Sequence, residues 1–258
     1  MLAIGTRFFG KNPEKDLPRL EKFIDAGLAI GDKVCVAVDP FQDRTDALEF
    51  VSHRYAQTNV EWFSVTPWGF APPLNAIVGR AAAAGADRLL IASAEFPPQR
   101  EHVQALNDCM QEGVLVAGAR FAEHAFDTEN VQVVGTGTTV PWNTFALWNM
   151  RFLKMYGFSI LGDALFDPSK AGVEELATVA LYQSLLTTND YTKYPAAYLV
   201  DIPGFVGPWN MDGWDEGRRK NHEAKIKSKN DRPATQLAYA GLKHPTVLHV
   251  SGGRTHSA

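Results

Sequence analysis

The sequence predicts an α/β fold with a mostly parallel central sheet and helices on both faces. Short, unbroken apolar runs, typical of strands covered on both faces, alternate with segments whose apolar residues recur at helical spacing. The links between these segments are only a few residues long. At 258 residues the chain is long enough for one large α/β domain or two small ones. No repeat or low-complexity linker divides it, so we expect one compact domain.

The first half alternates strand and helix. Apolar runs predict strands at 2–4, 34–38, 62–65 and 89–92. The segments at 17–28, 43–55 and 74–81 have helical periodicity, and Gly31 is placed to end the first helix. We expect the first strand to end at Gly5-Thr6 and the second in Asp39-Pro40.

The second half is less regular. Strands are predicted at 114–117, 131–134 and 246–250, and helices at 103–110, at 145–155 and from near Gly172 to Leu181. The run 209–232 is polar and carries Lys and Arg in clusters, which is typical of a mobile surface segment.

Composition excludes several classes of protein. The formal net charge of -4 favours no nucleic-acid partner. Cys35 and Cys109 lack metal-ligand spacing and are predicted to be small core residues in a reducing compartment. The first residues have no signal-peptide pattern, and no apolar run approaches the roughly 20 residues that span a bilayer. We therefore expect a soluble, cytoplasmic protein.

One stretch organises the functional interpretation. The apolar run at 89–92 stops at Ser93 and Glu95, and Pro97 and Pro98 prevent its continuation. Open α/β sheets bind their ligands just beyond the carboxyl ends of central strands. Taken alone, Glu95 is more simply an acid that faces water at a strand end. The rest of the chain favours the functional interpretation.

Several familiar catalytic motifs are missing from the sequence. There is no Gly-x-x-x-x-Gly-Lys phosphate loop, no Gly-x-Gly-x-x-Gly after the first strand and no Gly-x-Ser-x-Gly nucleophile turn. These absences argue against common NTPases, dinucleotide oxidoreductases and α/β-hydrolases.

A series of short motifs runs through residues 2–185. In chain order they are Gly5-Thr6, Asp39, Leu74-Asn75, Ser93-Ala94-Glu95, Pro141-Trp142-Asn143-Thr144, Tyr156-Gly157-Phe158 and Ala171-Gly172-Val173-Glu174-Glu175. This order resembles the GT-A-fold nucleotide-sugar glycosyltransferases, especially the inverting, family-2-like group. The resemblance implies one GT-A-like domain over 1–258. Residues 1–135 would bind the nucleotide sugar, and residues 136–258 would form a smaller acceptor-side part.

The resemblance implies where the donor binds. The residues that would hold the nucleotide are Gly5, Thr6, Asp39, Asn75 and Ser93. An Asp-x-Asp ordinarily ends the central strand in these enzymes and binds a divalent ion that bridges the diphosphate, because hard cations prefer oxygen ligands. Here Ser93-Ala94-Glu95 stands in its place. A weakened Mn²⁺ or Mg²⁺ site would then use Glu95, with His249 at the end of a late strand as a second candidate ligand.

The resemblance also implies an acceptor side. Glu174 and Glu175 are the candidates for the general base that deprotonates the attacking hydroxyl. They also suit a purely structural place, since acids in the first turn of a helix are favoured by its macrodipole. Trp142 and Asn143 are candidate sugar contacts, because an aromatic face and an amide suit a pyranose ring.

The basic segment has two interpretations. A run of charges is usually a solvated face. Alternatively, Arg218 and Arg219 would close over the leaving diphosphate and replace part of a weakened metal site, because cationic side chains can neutralise that charge.

The sequence thus predicts an inverting glycosyltransferase that moves a sugar from a nucleotide-sugar donor to a hydroxyl-bearing acceptor. One alternative is a non-catalytic relative that binds a nucleotide, a glycan or a protein, which the altered Asp-x-Asp position favours. The other is a nucleotidyltransferase that makes sugar nucleotides. It would need a Gly-rich basic loop after the first strand, and Gly5, Arg7, Gly10 and Lys11 match such a loop poorly.

Overall fold

The computed structural model describes residues 1–9, 13–39, 52–129, 131–163, 173–185, 196–205, 207 and 215–251, with side chains except at 13–15, 218, 221, 222 and 225. Nine strands of the described chain form one sheet. The strands are β1 (Leu2–Phe8), β2 (Lys33–Val38), β3 (Val60–Ser64), β4 (Arg88–Ala92), β5 (Val114–Ala119), β6 (Gln132–Val134), β7 (Phe145–Asn149), β8 (Ala196–Asp201) and β9 (Thr246–Ser251).

The helices connect and cover these strands. They are α1 (Pro13–Ile30), α2 (Ala71–Ala83), α3 (Arg100–Asp108), α4 (Met150–Tyr156), α5 (Glu174–Leu185), α6 (Glu216–Lys227) and α7 (Asp231–Tyr239), with a short 3₁₀ helix at Ile160–Gly162. None of these described helices combines the length and the apolar character needed to cross a membrane.

The sheet is mostly parallel, as predicted. Its strand order is β3-β2-β1-β4-β7-β5-β8-β9-β6. Only β7, which pairs with β4 and β5, and β6, which pairs with β9, run antiparallel to their neighbours. The carboxyl ends of the parallel strands therefore lie together. We call this end of the sheet, marked by Phe8, Val38, Ala92, Ala119 and Asp201, the carboxyl rim.

Helices lie on both faces, and adjacent residues of β1 show this directly. The side chain of Ile4 packs on Gly27 of α1 and on Gly31 just after that helix, whereas the Cα of Gly5 faces Ile77 of α2 on the other side. Successive strand residues point to opposite faces of a sheet. The strands are accordingly buried on both faces, which explains their unbroken apolar runs.

The predicted and observed elements differ in several places. Residues 145–149 form strand β7, and the helix predicted from 145 begins only at Met150. Strand β8 was not predicted at all. Within the segment 209–232, residues 216–227 form helix α6, which lacks an apolar stripe, and residues 231 and 232 begin α7. The helix predicted from Asp43 falls largely on residues 40–51, which lie outside the described residues.

A long-range contact fixes where α2 begins. The Asp163 carboxylate accepts hydrogen bonds from the backbone N–H groups of Phe70, at 2.5 Å, and Ala71, at 3.0 Å. These are among the N–H groups that a helix leaves without an internal partner at its start. The chain beyond the 3₁₀ helix is thereby joined to α2.

Candidate active site

The reversed direction of β7 brings its first residues to the carboxyl rim. The backbone N–H of Ser93, just beyond β4, donates to the carbonyl of Thr144 at 3.0 Å. Asn143 therefore stands beside the end of the central strand that the sequence singled out. The predicted donor-side residue Ser93 and the predicted acceptor-side residue Asn143 are close together in the fold.

Glu174 and Glu175 open helix α5 and are both buried, with exposed fractions of 4% and 5%. Val173, immediately before them, has a φ of 64°, which is a strained backbone conformation for a β-branched residue. The chain is packed closely here, since a Cβ added to Gly162 would lie 2.5 Å from the Cα of Glu174. Two carboxylates held out of water next to each other need compensating charges and hydrogen bonds.

Glu174 is compensated by arginines. Its Oε1 lies 3.0 Å from Nη2 of Arg7 on β1. Nη1 of Arg7 donates to the carbonyl of Phe70 at 2.9 Å, which fixes the guanidinium. Arg232 from α7 faces the same carboxylate, and burial lowers the pKa of Arg232 while the charge of Glu174 opposes that shift. Glu174 is thus the ion-paired member of the two acids.

Glu175 has a different environment. Its Oε1 accepts a short hydrogen bond from the backbone N–H of Asn143. Burial, followed by repulsion from Glu174, raises the pKa of Glu175 to about 7, and attraction to Lys229 and the Asn143 N–H oppose that rise. A carboxylate with a pKa near neutrality can both accept and release a proton at physiological pH. Of the two predicted candidates, Glu175 has the properties of a general base.

Trp142, a predicted sugar contact, has a buried ring. It is 1% exposed, its Nε1 donates to the carbonyl of Gly137 at 2.8 Å, and its ring lies 3.8 Å from that of His124. The Trp142 ring thus lies within the protein, and its contact with a sugar stays a prediction. The aromatic ring belongs to the wall that supports the acid pair.

Asn143 is also buried, and its amide has one fixed orientation. Its Oδ1 accepts a hydrogen bond from Nε1 of Trp148 at 2.9 Å. Since an indole N–H only donates, the amide cannot be flipped. Within the described chain, the buried Nδ2 of Asn143 has no hydrogen-bond partner. Asn143 therefore positions Glu175 through its backbone and holds an unused donor beside it.

Three residues predicted to contact the nucleotide are buried within the protein or bonded to its backbone. Gly5 and Thr6 lie within β1, which continues to Phe8, so the predicted end of that strand is wrong. Gly5 packs against Ile77, and Thr6 is completely buried. The Asn75 amide clasps the backbone of Phe158, accepting from its N–H at 2.6 Å and donating to its carbonyl at 3.0 Å. Asp39 and Ser93 lie at the carboxyl rim, directly after β2 and β4.

The residues implied as metal ligands do not fit a divalent cation. Oε1 of Glu95 lies 2.7 Å from Nη1 of Arg19, which also pairs with Asp16. His249 on β9 is separated from β4 by three strands, about 19 Å at the usual strand spacing. Its Nδ1 accepts from the N–H of Asp127 at 2.9 Å, and burial lowers its pKa.

Glu95 and His249 therefore do not form one site. In the part of the chain that the structure describes, no group of three or more His, Cys, Asp or Glu residues is arranged to hold a metal ion.

The basic segment divides into two parts. Arg219 is exposed on α6, and the side chain of Arg218 lies outside the described residues. Lys229 and Arg232 instead turn inward to the acid pair. From the sequence, Lys229 and Arg232 were grouped with the solvated charges of the basic segment. No role was predicted for Arg7 at the acid pair or for His124. The places of Arg7, Lys229 and Arg232 depend on contacts between residues about 60 to 170 positions apart in the chain, which local patterns do not record.

A cavity of about 260 Å³ lies elsewhere, at the amino ends of β1 and β4, between Leu2, Arg88, Arg100 and Asn107. The site described above is at the opposite end of the same strands. The cavity therefore plays no part in it.

Comparison with protein-family models and with curated proteins finds no match. Among solved structures, the chain is similar to a mannosyltransferase from Pyrobaculum calidifontis, solved with GDP-Man and Mn²⁺, with a TM-score of 0.57 and 15% identity. That alignment covers 95% of this chain and 65% of the mannosyltransferase, so this chain spans just under two thirds of that protein's length.

Two further solved structures are less similar. S. aureus TarS 1-349 has a TM-score of 0.45 at 13% identity, over 67% of this chain and 52% of that one. Glucosyl-3-phosphoglycerate synthase from Mycobacterium tuberculosis, solved with UDP, has a TM-score of 0.38 at 16% identity, over 59% and 57%. Likeness at such identities concerns the fold. The chain has the mixed α/β, Rossmann-like fold of the GT-A type.

Proposed function

We propose that the protein is a glycosyltransferase that moves a sugar from a nucleotide-sugar donor to a hydroxyl-bearing acceptor. The observation that carries this proposal is Glu175, a buried carboxyl with a pKa near neutrality, held by the Asn143 N–H at the carboxyl rim of a GT-A-type sheet. Ligands of open α/β sheets bind at this rim.

In the proposed reaction, Glu175 takes the proton of the acceptor hydroxyl while the hydroxyl oxygen attacks the anomeric carbon of the donor sugar. The bond from that carbon to the nucleoside diphosphate breaks in line with the attack, so the sugar is transferred with inversion. Most of the rate enhancement comes from positioning and from charge stabilisation. Glu174 stays paired with Arg7.

The donor is proposed to lie over the ends of β2 and β4, with Asp39 and Ser93 near the nucleoside. Since the residues at the Asp-x-Asp position do not fit a metal ion, the diphosphate is assigned to Arg218 and Arg219. The mannosyltransferase of similar fold was solved with GDP-Man, which makes GDP-mannose the first donor to test.

Calorimetric titration with UDP, GDP, CDP and TDP, each with and without Mn²⁺, tests the donor site. We expect one nucleotide to bind, without a requirement for the metal. Replacing both arginines, in an Arg218→Ala, Arg219→Ala variant, should weaken binding about tenfold or more. A matched control is Lys220→Ala on the same helix, whose Nζ is paired with Glu216 at 2.7 Å. Absence of binding by all four nucleotides at millimolar concentration would contradict the proposal.

A second candidate is a non-catalytic binding protein of the same fold. The ion pair between Glu95 and Arg19 favours this candidate. Arg19 is bound to the Glu95 carboxylate at the position where a catalytic metal ion would be expected. Such a protein would bind a nucleotide or a glycan and release no sugar from any donor. Detection of donor hydrolysis would exclude it.

A further inference from the structure

Two turns of the chain dock closely beside the acid pair. The turn 135–139, Gly-Thr-Gly-Thr-Thr, packs against the turn 228–230 that joins α6 to α7. A Cβ on Gly137 would overlap the carbonyl of Lys229, so only glycine permits this approach. Asn230 Oδ1 accepts hydrogen bonds from the N–H and the Oγ1 of Thr138, at 3.1 and 3.2 Å. The position of Lys229 is therefore set by a specific contact between backbones.

The docked turn places the Lys229 ammonium on an aromatic wall. Its Nζ lies 3.1 Å from the centroid of the Trp142 ring, and the residue is 9% exposed. The Trp142 ring is itself fixed, since Nε1 is bound to the Gly137 carbonyl and the tilted ring of His124 lies 3.8 Å away between centroids. A desolvated cation is attracted to the face of an indole ring.

Trp142 and Asn143 are consecutive residues, and they connect Lys229 with Glu175. Lys229 lies on the ring of the first, and the N–H of the second is bonded to the Glu175 carboxylate. Among the described residues, the other charges around Glu175 are Glu174 beside it, with Arg7 from β1 and Arg232 from α7 both facing Glu174. His124 adds no charge, because burial and Lys229 lower its pKa to about 3. Lys229 is thus the cation whose charge acts on Glu175.

We propose that Lys229 is a positioning residue for Glu175. The 135–139 turn holds Lys229 on the ring of Trp142, and from there the Lys229 ammonium keeps Glu175 in the ionised form that can accept a proton. This inference rests on the proposed role of Glu175 as the base. Without the ammonium, burial and repulsion from Glu174 act unopposed except by the Asn143 N–H, and the carboxyl would remain protonated at neutral pH. Undocking of the turn would have the same effect without any change of charge.

Carboxyl titration by ¹³C NMR, with glutamate-labelled full-length protein, tests this without a donor or an acceptor. The Glu175 signal is assigned from its loss in Glu175→Gln. In wild type we expect a midpoint near pH 7. In Lys229→Met, which keeps the chain length and removes the charge, the midpoint should rise by about one pH unit or more, as expected for loss of an adjacent opposite charge. Lys229→Arg, which keeps the charge, should stay closer to wild type than Lys229→Met.

Gly137→Ala provides the second variant, because it displaces Lys229 and leaves every charge in the chain. Its Glu175 midpoint should rise as well, and it serves in place of Lys229→Met if that variant does not fold. A packing role alone would lower the melting temperature and leave the midpoint where it is. Unchanged Glu175 midpoints in folded Lys229→Met or Gly137→Ala would overturn the inference. Failure of glycosyl transfer would not affect this result, so the two proposals fail separately.

Discussion

The backbone N–H of Asn143 donates a hydrogen bond to the carboxylate of Glu175, 32 residues further along the chain. This contact joins the start of the reversed strand β7 to the first turn of α5. It holds a buried carboxylate at the carboxyl rim, where open α/β sheets bind ligands. The candidate site is therefore a consequence of the sheet topology together with one backbone hydrogen bond.

The acidity of Glu175 predicts how stability depends on pH. Its pKa is raised from an ordinary 4.5 to about 7, so the folded state binds this proton more tightly than the unfolded state. The contribution to stability is complete below pH 4.5 and is lost as the pH rises through 7, by roughly 3 kcal/mol. Glu175→Gln cannot ionise and should lack this loss.

Urea unfolding of wild type and Glu175→Gln between pH 4.5 and 8.5 measures the effect. The variant should gain stability relative to wild type as the pH rises across that range. Glu101→Gln, at an exposed position in the first turn of α3, is the control and should follow wild type. Parallel curves for wild type and Glu175→Gln would show that Glu175 titrates normally.

His124 predicts a loss of stability in acid. Its Nδ1 accepts from the N–H of Phe121 at 2.8 Å, and its Nε2 lies 3.1 Å from the carbonyl of Val140, which fixes the neutral tautomer. Burial lowers its pKa from 6.5 to about 3, so the unfolded state takes up a proton that the folded state refuses. The contribution of His124 to stability should therefore fall as the pH decreases below about 6.5, opposite in direction to that of Glu175.

His124→Gln retains an acceptor and a donor and has no charge to gain. It should remove most of this acid dependence, measured by thermal unfolding from pH 4 to 8. His53→Gln, at an exposed position, should leave the dependence intact. If His124→Gln shows the same acid dependence as wild type, another group is responsible.

Asn75 is predicted to matter for stability. Asn75→Leu would leave both the N–H and the carbonyl of Phe158 without their side-chain partner, at a cost of about 2 kcal/mol or more in unfolding free energy. Asn75→Asp keeps an acceptor for the N–H and should cost less. The order Leu, then Asp, then wild type in urea unfolding checks this. A loss of nucleotide affinity at unchanged stability would restore the binding role expected from the sequence.

Gly5 offers a test by compensation. A Cβ at this position would overlap Cγ2 of Ile77, and overpacking in a core costs about 1–3 kcal/mol. Gly5→Ala should therefore destabilise the protein. Ile77→Ala should cost less unfolding free energy in the Gly5→Ala background than in wild type. The double-mutant cycle is measured by chemical unfolding. Additive effects would contradict the contact.

The parallel half of the fold could be predicted because its strands are buried on both faces. Such strands are continuous apolar runs, as at 34–38 and 89–92, and helices of clear periodicity separate them. Residues 145–149 are equally apolar, but a short run of this kind does not distinguish a strand from the start of a buried helix. No element was predicted at 196–201, where strand β8 lies. Helix α6 has no apolar stripe, so its composition indicated only a charged surface.

Less of the site could be predicted. The pair Glu174 and Glu175 was identified from its place after a Gly-Phe turn, and Glu95 from its place after β4. The partners of these acids were not, because Arg7, Arg19 and Lys229 reach them from distant parts of the chain. Since ion pairing decides whether a carboxylate can bind a metal or accept a proton, the division of roles between these acids needed the structure.

The central claim is that Glu175 is the base of a glycosyl transfer. The most direct measurement is the release of nucleoside diphosphate from the nucleotide sugar that the protein binds, for wild type and for Glu175→Gln, with donor affinity measured on both. The account predicts release by wild type, and a rate at least about 100-fold lower in the variant at similar donor affinity. Equal rates in the two proteins, or no release by wild type from any bound donor, would contradict it.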